Sequence, residues 1–211
     1  MNIKKLIKPY YHKLQNIMKF KKRIGLKNKD VSIISNNCGG GFISQHFGLP
    51  YNSPTAGLFF HSDDYVKFAK NPEYYFSQKL TFIEPEKSKY YEQYKPINYP
   101  VALCDDIEIF FMHYPTQEEA EKKWIKRAER VNYDNAIVLF FENETTTKEH
   151  LEEFEKTELP HKALVFTDYP DLNNTIRNTD VFESELHHWK PEFVIASADW
   201  KTVFNNLKGE N

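Results

Sequence analysis

Three consecutive glycines after a short apolar segment constrain the fold of this chain more than any other feature. The segment Val31-Ser32-Ile33-Ile34 leads into Asn36-Asn37-Cys38-Gly39-Gly40-Gly41, and Phe42-Ile43-Ser44-Gln45-His46 follows. The chain has only seven glycines, so three in one run is a strong local signal. Because glycine lacks Cβ, such a run allows positive φ and lets backbone amides approach a ligand closely. The pattern predicts a strand, a tight loop and a helix start, with a binding site at the loop.

The loop supplies the first group of candidate site residues. We expect its amides to hold a phosphate or a developing oxyanion. A tight turn between strand and helix is the alternative. The loop is not a dinucleotide-binding motif, because G-x-G-x-x-G is absent, and it is not a P-loop, because no Gly-Lys-Ser/Thr sequence follows. The candidates for substrate binding here are Asn36, Asn37, Gly39, Gly40 and Gly41.

Cys38 lies in the same loop, at a position suited to a nucleophile. Glycine amides and a helix N-terminus near its sulfur would lower the pKa of the thiol and favour the thiolate. The candidate bases are His46, His61 and His113. The alternative is a small buried hydrophobic residue, which is the common role of a free cysteine. A Cys38-dependent hydrolase is therefore one alternative function.

The composition is that of a globular chain with its own core. Of the 211 residues, 40% are apolar and 16% aromatic. No apolar run approaches the roughly 20 residues that span a bilayer, and the amino end has no secretory signal pattern. The two cysteines form neither a disulfide framework nor a metal motif. We therefore expect a cytoplasmic protein.

Charge divides the chain into a basic arm and an acidic body. Residues 1–30 carry ten Lys or Arg and one acid, about +9, whereas residues 31–211 carry about −11. Apolar residues at helical spacing among the lysines predict a basic amphipathic helix, divided at Pro9. This helix would either contact an anionic membrane surface or pack on the acidic body. No nucleic-acid partner is expected, because the body is acidic and lacks a binding motif. We predict an N-terminal arm over 1–30 and a single α/β domain over 31–211.

Strand and helix patterns alternate along the body. Strands are expected at 31–36, 80–83, 101–104, 107–112, 136–141 and 162–166. Helices are expected near 42–47, from Ser62, after Asn71, from Thr116 to about Val131 and after Thr146. The repeated β-α-β order favours parallel pairing. The predicted fold class is a three-layer α/β/α arrangement with a mixed, mostly parallel sheet and an inserted antiparallel strand pair.

Two further catalytic candidates, Asp106 and His113, lie at the two ends of the strand predicted at 107–112. Asp106 and Glu108 would share one face of the strand, as carboxylates do that bind Mg²⁺ or Mn²⁺ with a sugar-nucleotide diphosphate. A divalent metal is the cofactor these groups would bind, and the sequence assigns no ligand set. A hairpin turn at Asp105-Asp106 is the alternative.

His113 precedes a helix N-terminus, where an imidazole stays neutral and can act as a base or ligand; a structural histidine is the alternative.

A cationic stripe on the next helix completes the candidate site. The chain has 24 lysines and only four arginines, yet Arg127 and Arg130 follow Lys123 at helical spacing. A guanidinium can hold a carboxylate or phosphate through two parallel hydrogen bonds, which an ammonium cannot. We therefore interpret Arg127 and Arg130 as substrate-binding residues. Ion pairs with Glu119 or neighbouring acids on a solvated face are the alternative.

Several short motifs occur together in the body. They are Ser35-Asn36-Asn37-Cys38-Gly39-Gly40, Asn71-Pro72-Glu73-Tyr74-Tyr75, Tyr99-Pro100-Val101, Asp106-Ile107-Glu108-Ile109, His113-Tyr114 with Glu118-Glu119-Ala120, and Lys123-Trp124 with Arg127 and Arg130. In combination they resemble an uncharacterised bacterial family whose members are often labelled exopolysaccharide biosynthesis proteins. The resemblance spans about residues 30–170. It implies a role in cell-surface polysaccharide synthesis and assigns no catalytic residue.

Two classes of function remain open. The first is a transferase-like enzyme of polysaccharide assembly that holds a phosphorylated or acidic sugar, with Asp106 or His113 as base or metal ligand. The second is a non-catalytic module of the same pathway that binds a glycan or protein through aromatic residues. The expected partner is a small-molecule or glycan substrate in either case. Convergence of the candidates on one cleft would favour the enzyme.

Overall fold

Seven strands and eight α-helices make up the part of the chain that the structure describes. The computed structural model describes residues 21–165, 167, 169, 171–173, 175–176 and 191–207. The strands are β1 (Ser32–Ser35), β2 (Leu80–Ile83), β3 (Val101–Cys104), β4 (Ile107–Phe110), β5 (Ala136–Phe141), β6 (Lys162–Val165) and β7 (Thr175–Ile176). The helices are α1 (Gly39–Phe47), α2 (Ser62–Lys70), α3 (Pro72–Ser77), α4 (Tyr91–Tyr94), α5 (Gln117–Ala128), α6 (Lys148–Glu155), α7 (Pro191–Ala196) and α8 (Trp200–Asn205). Four parallel strands form one sheet, ordered β1-β5-β6-β7, and three antiparallel strands form another, ordered β2-β3-β4.

The parallel sheet is the middle layer of the fold, because its strands are apolar on both faces. In β1, Ile33 and Ile34 are both buried but belong to different cores. In β5, Leu139 and Phe140 are divided between the cores in the same way. A strand covered on both faces reads as a continuous apolar run, which is why these segments were predicted as buried strands.

Helices cover both faces of this sheet and confirm the predicted α/β fold class. On one face, α1 packs with α7 and α8, and Ile43 and Phe204 lie in this core. On the other face, α2, α5 and α6 enclose Tyr65, Trp124 and Phe154 together with one face of the antiparallel sheet. The arrangement is a three-layer α/β/α core with an antiparallel insertion.

The antiparallel insertion is a sheet of its own. A tight turn at Asp105 and Asp106 joins β3 to β4, with Asp105 at φ 56°. Strand β2 pairs along the whole of β3, with Leu80 opposite Cys104. Strand β2 covers the free edge of the β3–β4 hairpin, so the insertion has three strands, whereas the sequence indicated a pair. The insertion forms a sheet separate from the parallel one.

A short segment, residues 57–60, joins the two sheets; we call it the linking segment. Its main-chain hydrogen bonds run from Phe60 N to Asn36 O (2.9 Å), from Phe59 N to Phe110 O (2.9 Å), from Phe110 N to Phe59 O (3.0 Å) and from His113 N to Gly57 O (3.1 Å). The segment is bonded on one side to the end of β1 and on the other to the end of β4. It therefore brings the residues after these two strands together.

The part of the basic arm within the described residues packs against the domain. Leu26 is buried in the core beside α8, and Asn28 exchanges two side-chain hydrogen bonds with Asn135, at 2.6 and 2.8 Å. Arg23 Nε donates to the carbonyl oxygen of Phe47 at 2.5 Å. The amphipathic helix predicted in the arm of residues 1–30 lies mostly outside the described residues, and of residues 21–30 the structure has Lys21 and Lys22 as helix. In the described part of the chain, no helix has both the length and the apolar character needed to cross a membrane.

The triple glycine forms the first turn of α1, so the helix begins earlier than the predicted residue 42. A Cβ on Gly39 would lie 2.5 Å from Cζ of Phe141, and one on Gly40 would lie 2.7 Å from Oγ of Ser35. All three glycines are helical and none has a positive φ; Gly39 and Gly40 serve close packing instead. They let α1 approach the ends of β1 and β5.

We expect Gly39→Ala to destabilise the protein, because the new methyl group would overlap the fully buried ring of Phe141. Overpacking of this kind costs about 1–3 kcal/mol. Gly41→Ala is the matched control, since its Cβ would lie 3.9 Å from Cβ of Ala56, an ordinary contact. Urea denaturation measures both free energies of unfolding. Equal stabilities for the two variants would contradict the close-packing role.

Candidate functional site

A cleft lies outside the carboxyl ends of β1 and β5, the edge at which open parallel α/β sheets bind ligands. It consists of two adjacent cavities of about 380 and 400 Å³, which share Cys38, Phe42 and His113. Cys38 and Phe42 follow β1, whereas His113 follows β4 and is held there by the linking segment. Both volumes fall in the range of about 300–1,000 Å³ that is typical of small-molecule sites.

The first cavity, which we call the basic compartment, has a cationic wall. Lys123 and Arg127 extend into it from α5, one helical turn apart. Its other lining residues are Cys38, Gly41, Phe42, Gln45, Tyr51, Ala56, Gly57, His113, Tyr114 and Glu119. Two cations against the single carboxylate of Glu119 give the compartment a positive potential, which attracts an anion.

Hydrogen bonds from one nitrogen of its guanidinium group hold Arg127 in one orientation. Its Nη1 donates to the carbonyl oxygen of Ala56 at 2.7 Å and to the hydroxyl of Tyr114 at 2.5 Å. Its Cζ lies 5.1 Å from the ring centroid of Tyr51, a cation–π contact. Neither Nε nor Nη2 has an acceptor among the described residues. These remaining donors are available to an anion without any loss of the existing contacts.

Arg130 does not line the cleft. Helix α5 ends at Ala128, short of the predicted Val131, so Arg130 leaves the helical stripe. Its Nη2 donates to the carbonyl oxygen of Tyr51 at 2.7 Å. Arg130 thus supports the loop that carries Tyr51, and the structure assigns the cleft side of the stripe to Lys123 and Arg127.

The second cavity, which we call the aromatic compartment, has a wall of rings. The ring of Phe59 meets Tyr94 edge to face at 5.2 Å and 82°, and Tyr99 at 6.1 Å and 77°. Phe110 stacks on Phe59 at 4.7 Å. Met112, which is 43% exposed, also lines the compartment. Its remaining lining residues are Asn37, Cys38, Phe42, Phe60, His113, Asn143 and Glu144.

Two buried carboxylates hold the aromatic wall in place. Glu108 in β4 accepts hydrogen bonds from Oγ of Ser88 at 2.5 Å and from the amide of Lys89 at 3.0 Å. Asp64 accepts from Nζ of Lys89 at 2.7 Å and from the amide of Glu108 at 2.8 Å. These bonds fix residues 84–99, which carry the tyrosines of the wall, against β4. The carboxylates are positioning groups.

The surroundings of Cys38 favour the thiol over the thiolate. Burial raises the pKa of this thiol to about 11, and the smaller effect of its own amide does not offset this. The Sγ atom donates to the carbonyl oxygen of Leu58 at 4.0 Å. The expected lowering of the pKa at a helix N-terminus is therefore wrong, because desolvation outweighs the amides.

The three candidate histidines lie in different places. His46 contacts Lys22 and Phe47, on the far side of α1. His61 is the N-cap of α2 and stacks on Tyr90 at 3.9 Å. His113 shares the cleft with Cys38, but no hydrogen bond joins a histidine to Sγ of Cys38 in the described part of the chain. The thiol of Cys38 is protonated and no described histidine is hydrogen-bonded to its sulfur, so the structure disfavours the hydrolase alternative.

Asp106 lies at the turn of the β3–β4 hairpin, away from the cleft. Its carboxylate accepts from Nζ of Lys67 at 3.1 Å and from the hydroxyl of Tyr75 at 2.8 Å. Although desolvation raises it, these hydrogen bonds bring the pKa of Asp106 below its ordinary value. Glu108 is directed to Ser88, so the two carboxylates share no ligand. Over the residues described, no group of three or more His, Cys, Asp or Glu is placed to hold a metal ion.

Asn36 uses its side chain to join the ends of two strands. Its Nδ2 donates to the carbonyl oxygen of Phe141 at 2.8 Å, and its Oδ1 accepts from the amide of Phe141 at 2.9 Å. The side chain is fully buried. Asn36 extends the pairing of β1 with β5 and does not line the cleft.

The glycine amides of the loop are used unequally. The amide of Gly39 donates to Oδ1 of Asn37 at 2.9 Å, and that of Gly40 to Oγ of Ser35 at 3.2 Å. The amide of Gly41 has no acceptor within the described ranges, and Gly41 lines the basic compartment. Of the predicted cradle, Gly41 and Asn37 face the cleft.

The sequence reasoning missed several lining residues of the cleft, among them Asn143, Glu144, Tyr94 and Tyr99. Asn143 and Glu144 lie two and three residues after the end of β5, and polar residues after a buried parallel strand are a signal that could have identified them. Tyr94 and Tyr99 had no such signal. They reach the cleft because the inserted sheet folds back toward β1, a placement that local sequence patterns do not encode.

Together these features define an α/β protein with a two-part cleft at the carboxyl edge of its parallel sheet. The family model described as "Domain of unknown function (DUF1919)" matches residues 10–202, and the chain belongs to this family. A Haemophilus influenzae protein named "Uncharacterized protein" is 33% identical over 145 residues, 69% of this chain and 65% of that protein. The chain therefore spans a little less than two thirds of this relative. The resemblance to an uncharacterised family is confirmed, and the exopolysaccharide label stays a prediction.

We expect Asn36→Ala to lower the melting temperature by several degrees, because it removes both side-chain hydrogen bonds to Phe141. Removing one partner of a buried hydrogen bond costs roughly 1–3 kcal/mol, and each kcal/mol lowers the melting temperature of a domain of this size by about 2–4 °C. Asn37→Ala, which loses one partly buried hydrogen bond, is the control. Calorimetry showing equal melting temperatures would refute this role.

We expect Cys38 to react slowly with iodoacetamide at pH 8, where a pKa of about 11 leaves about one thiol in a thousand ionised. The rate should rise about tenfold per pH unit between pH 7 and 9.5. Mass spectrometry on a Cys104→Ala variant follows Cys38 as the single thiol. A rate that is already constant near pH 7 would indicate a thiolate and return Cys38 to the nucleophile candidates.

Proposed function

We propose that this protein is a transferase-like enzyme of cell-surface polysaccharide biosynthesis and that its cleft binds a phosphorylated or acidic sugar. The observation that carries the proposal is the basic compartment, which Lys123 and Arg127 both line and in which Nε and Nη2 of Arg127 have no acceptor among the described residues. The charge of this compartment supports the substrate class. The sequence resemblance supports the pathway.

Three groups are suited to hold the anionic part of the substrate. Arg127 offers Nε and Nη2 in a fixed plane, which matches two oxygens of a phosphate or carboxylate. Lys123 adds a mobile charge from the same helix. The amide of Gly41 adds a donor in the first turn of α1, where the helix dipole also favours an anion.

His113 is the candidate for proton transfer, because it lines both compartments. In a glycosyl transfer, the acceptor oxygen forms a bond to the sugar carbon, and the bond from that carbon to the phosphate oxygen breaks. The phosphate keeps the electron pair, and His113 accepts the proton of the acceptor hydroxyl. Asp106 takes no part in this proposal, since its carboxylate is bound to Lys67 and Tyr75.

The aromatic compartment favours one other candidate function, a non-catalytic glycan-binding module of the same pathway. Rings and amides bind a sugar whether or not a bond is made or broken. Turnover separates the two candidates: the enzyme consumes a sugar phosphate in the presence of an acceptor, whereas the module binds its ligand and leaves it intact.

We expect Lys123→Ala to weaken the binding of glucose 1-phosphate and UDP-glucose at least tenfold, measured by titration calorimetry. A hydrogen bond to a charged group contributes about 1.5–3 kcal/mol, and 1.4 kcal/mol is a factor of ten. Lys126→Ala is the matched control, since Lys126 is exposed on α5 and does not line the cleft. Glucose is the uncharged ligand control.

Equal affinities for the Lys123→Ala and Lys126→Ala variants would contradict the anion site. So would a failure of the full chain to bind glucose 1-phosphate, UDP-glucose or glucuronic acid. Increasing salt should weaken binding to the wild-type protein and to the Lys126→Ala variant alike, because the attraction is electrostatic.

A further inference from the structure

The two compartments of the cleft differ in the charge of their walls. Lys123 and Arg127 line the basic compartment, whereas the charged side chain of the aromatic compartment is Glu144. None of the described lysines or arginines lines this second cavity. An anionic group is therefore attracted to the first compartment and repelled from the second. The aromatic compartment suits a ligand without negative charge.

The rings of the aromatic compartment form a concave corner. One face of Phe59 is covered by Phe110, and Tyr94 and Tyr99 meet Phe59 nearly at right angles. A flat nucleobase is held by stacking on an open aromatic face. A puckered sugar ring is thicker, and its C–H groups pack against several rings set at angles. The corner favours the sugar ring.

The polar groups of this compartment match sugar hydroxyls. The Oδ1 of Asn37 already accepts from Gly39, and the Oδ1 of Asn143 accepts from Thr145 at 2.9 Å, so both amide orientations are fixed. In the described part of the chain, the Nδ2 atoms of these two side chains have no acceptor and the carboxylate of Glu144 has no donor. A hydroxyl donates one hydrogen bond and accepts up to two, so two amide donors and one carboxylate suit a sugar.

We propose that the aromatic compartment binds an uncharged glycosyl unit, the terminal sugar of the acceptor glycan. The inference rests on the proposed function, because it assigns the acceptor for a transfer whose donor occupies the basic compartment. His113 lies between the two subsites, and Met112 and Glu144 are exposed at the second one, where the rest of a glycan chain leaves the protein.

The test uses saturation-transfer NMR and titration of the full chain with maltotriose, cellotriose and chitotriose at millimolar concentration. We expect at least one of these uncharged oligosaccharides to bind, and Tyr99→Ala to weaken that binding at least tenfold. Glu144→Gln should weaken it several-fold, and Glu144 is exposed, so this variant remains informative if Tyr99→Ala does not fold. Tyr74→Ala, an exposed tyrosine outside the cleft, is the matched control.

The same variants distinguish the inference from the proposed function. Tyr99→Ala should leave glucose 1-phosphate binding unchanged, and Lys123→Ala should leave oligosaccharide binding unchanged. If glucose 1-phosphate binds but none of the oligosaccharides does, the acceptor subsite is overturned and the donor site stands. If only the oligosaccharides bind, the transfer is overturned and the subsite stands. Displacement of the oligosaccharide by uridine, with direct contact of the base to the tyrosine rings, would identify a nucleobase site and overturn the inference.

Discussion

The main-chain hydrogen bonds of the linking segment are the interaction on which the cleft depends. Phe60 is bonded to Asn36 at the end of β1, and Phe59 to Phe110 at the end of β4. Cys38 and His113 are far apart in the sequence, and they share a wall because these bonds join the two sheets. The side chain of Asn36 continues the network to β5. Most of these donors and acceptors are backbone atoms, so the hydrogen bonds themselves do not depend on which side chains the positions carry.

The pairing of charged groups separates positioning residues from the residues that we propose to bind a ligand. Asp64, Glu108 and Asp106 have their oxygens engaged by lysines, hydroxyls or amides, and they hold the hairpin and the aromatic wall in place. Lys123 and Arg127 line a cavity whose lining includes one carboxylate residue, Glu119. A buried carboxylate destabilises the fold unless protein groups donate hydrogen bonds to it. A cation at a cleft remains partly hydrated, so it needs no partner within the protein.

Particular elements show how far the sequence alone predicts this fold. Strand β5 was predicted at its observed limits, 136–141, because a continuous apolar run of that length fits a strand buried on both faces. Thr116 caps α5 as predicted, because its hydroxyl accepts from the amide of Glu119, three residues further along the chain. A cap of this kind is visible in the local sequence. The start of α1 was missed, because the contact of Gly39 with Phe141 joins distant parts of the chain.

The sequence by itself determined the order of strands and helices, the α/β class and the position of the cleft after β1, because apolar periodicity and capping act over a few residues. It also marked Cys38, His113 and Arg127, which the fold brings to one cleft. Only the tertiary structure decided that Asn36 and Asp106 are engaged elsewhere and that the tyrosines of the insertion line the second compartment. The reason is physical: whether a polar side chain binds a ligand or the protein depends on which partners lie near it, and those partners come from distant segments.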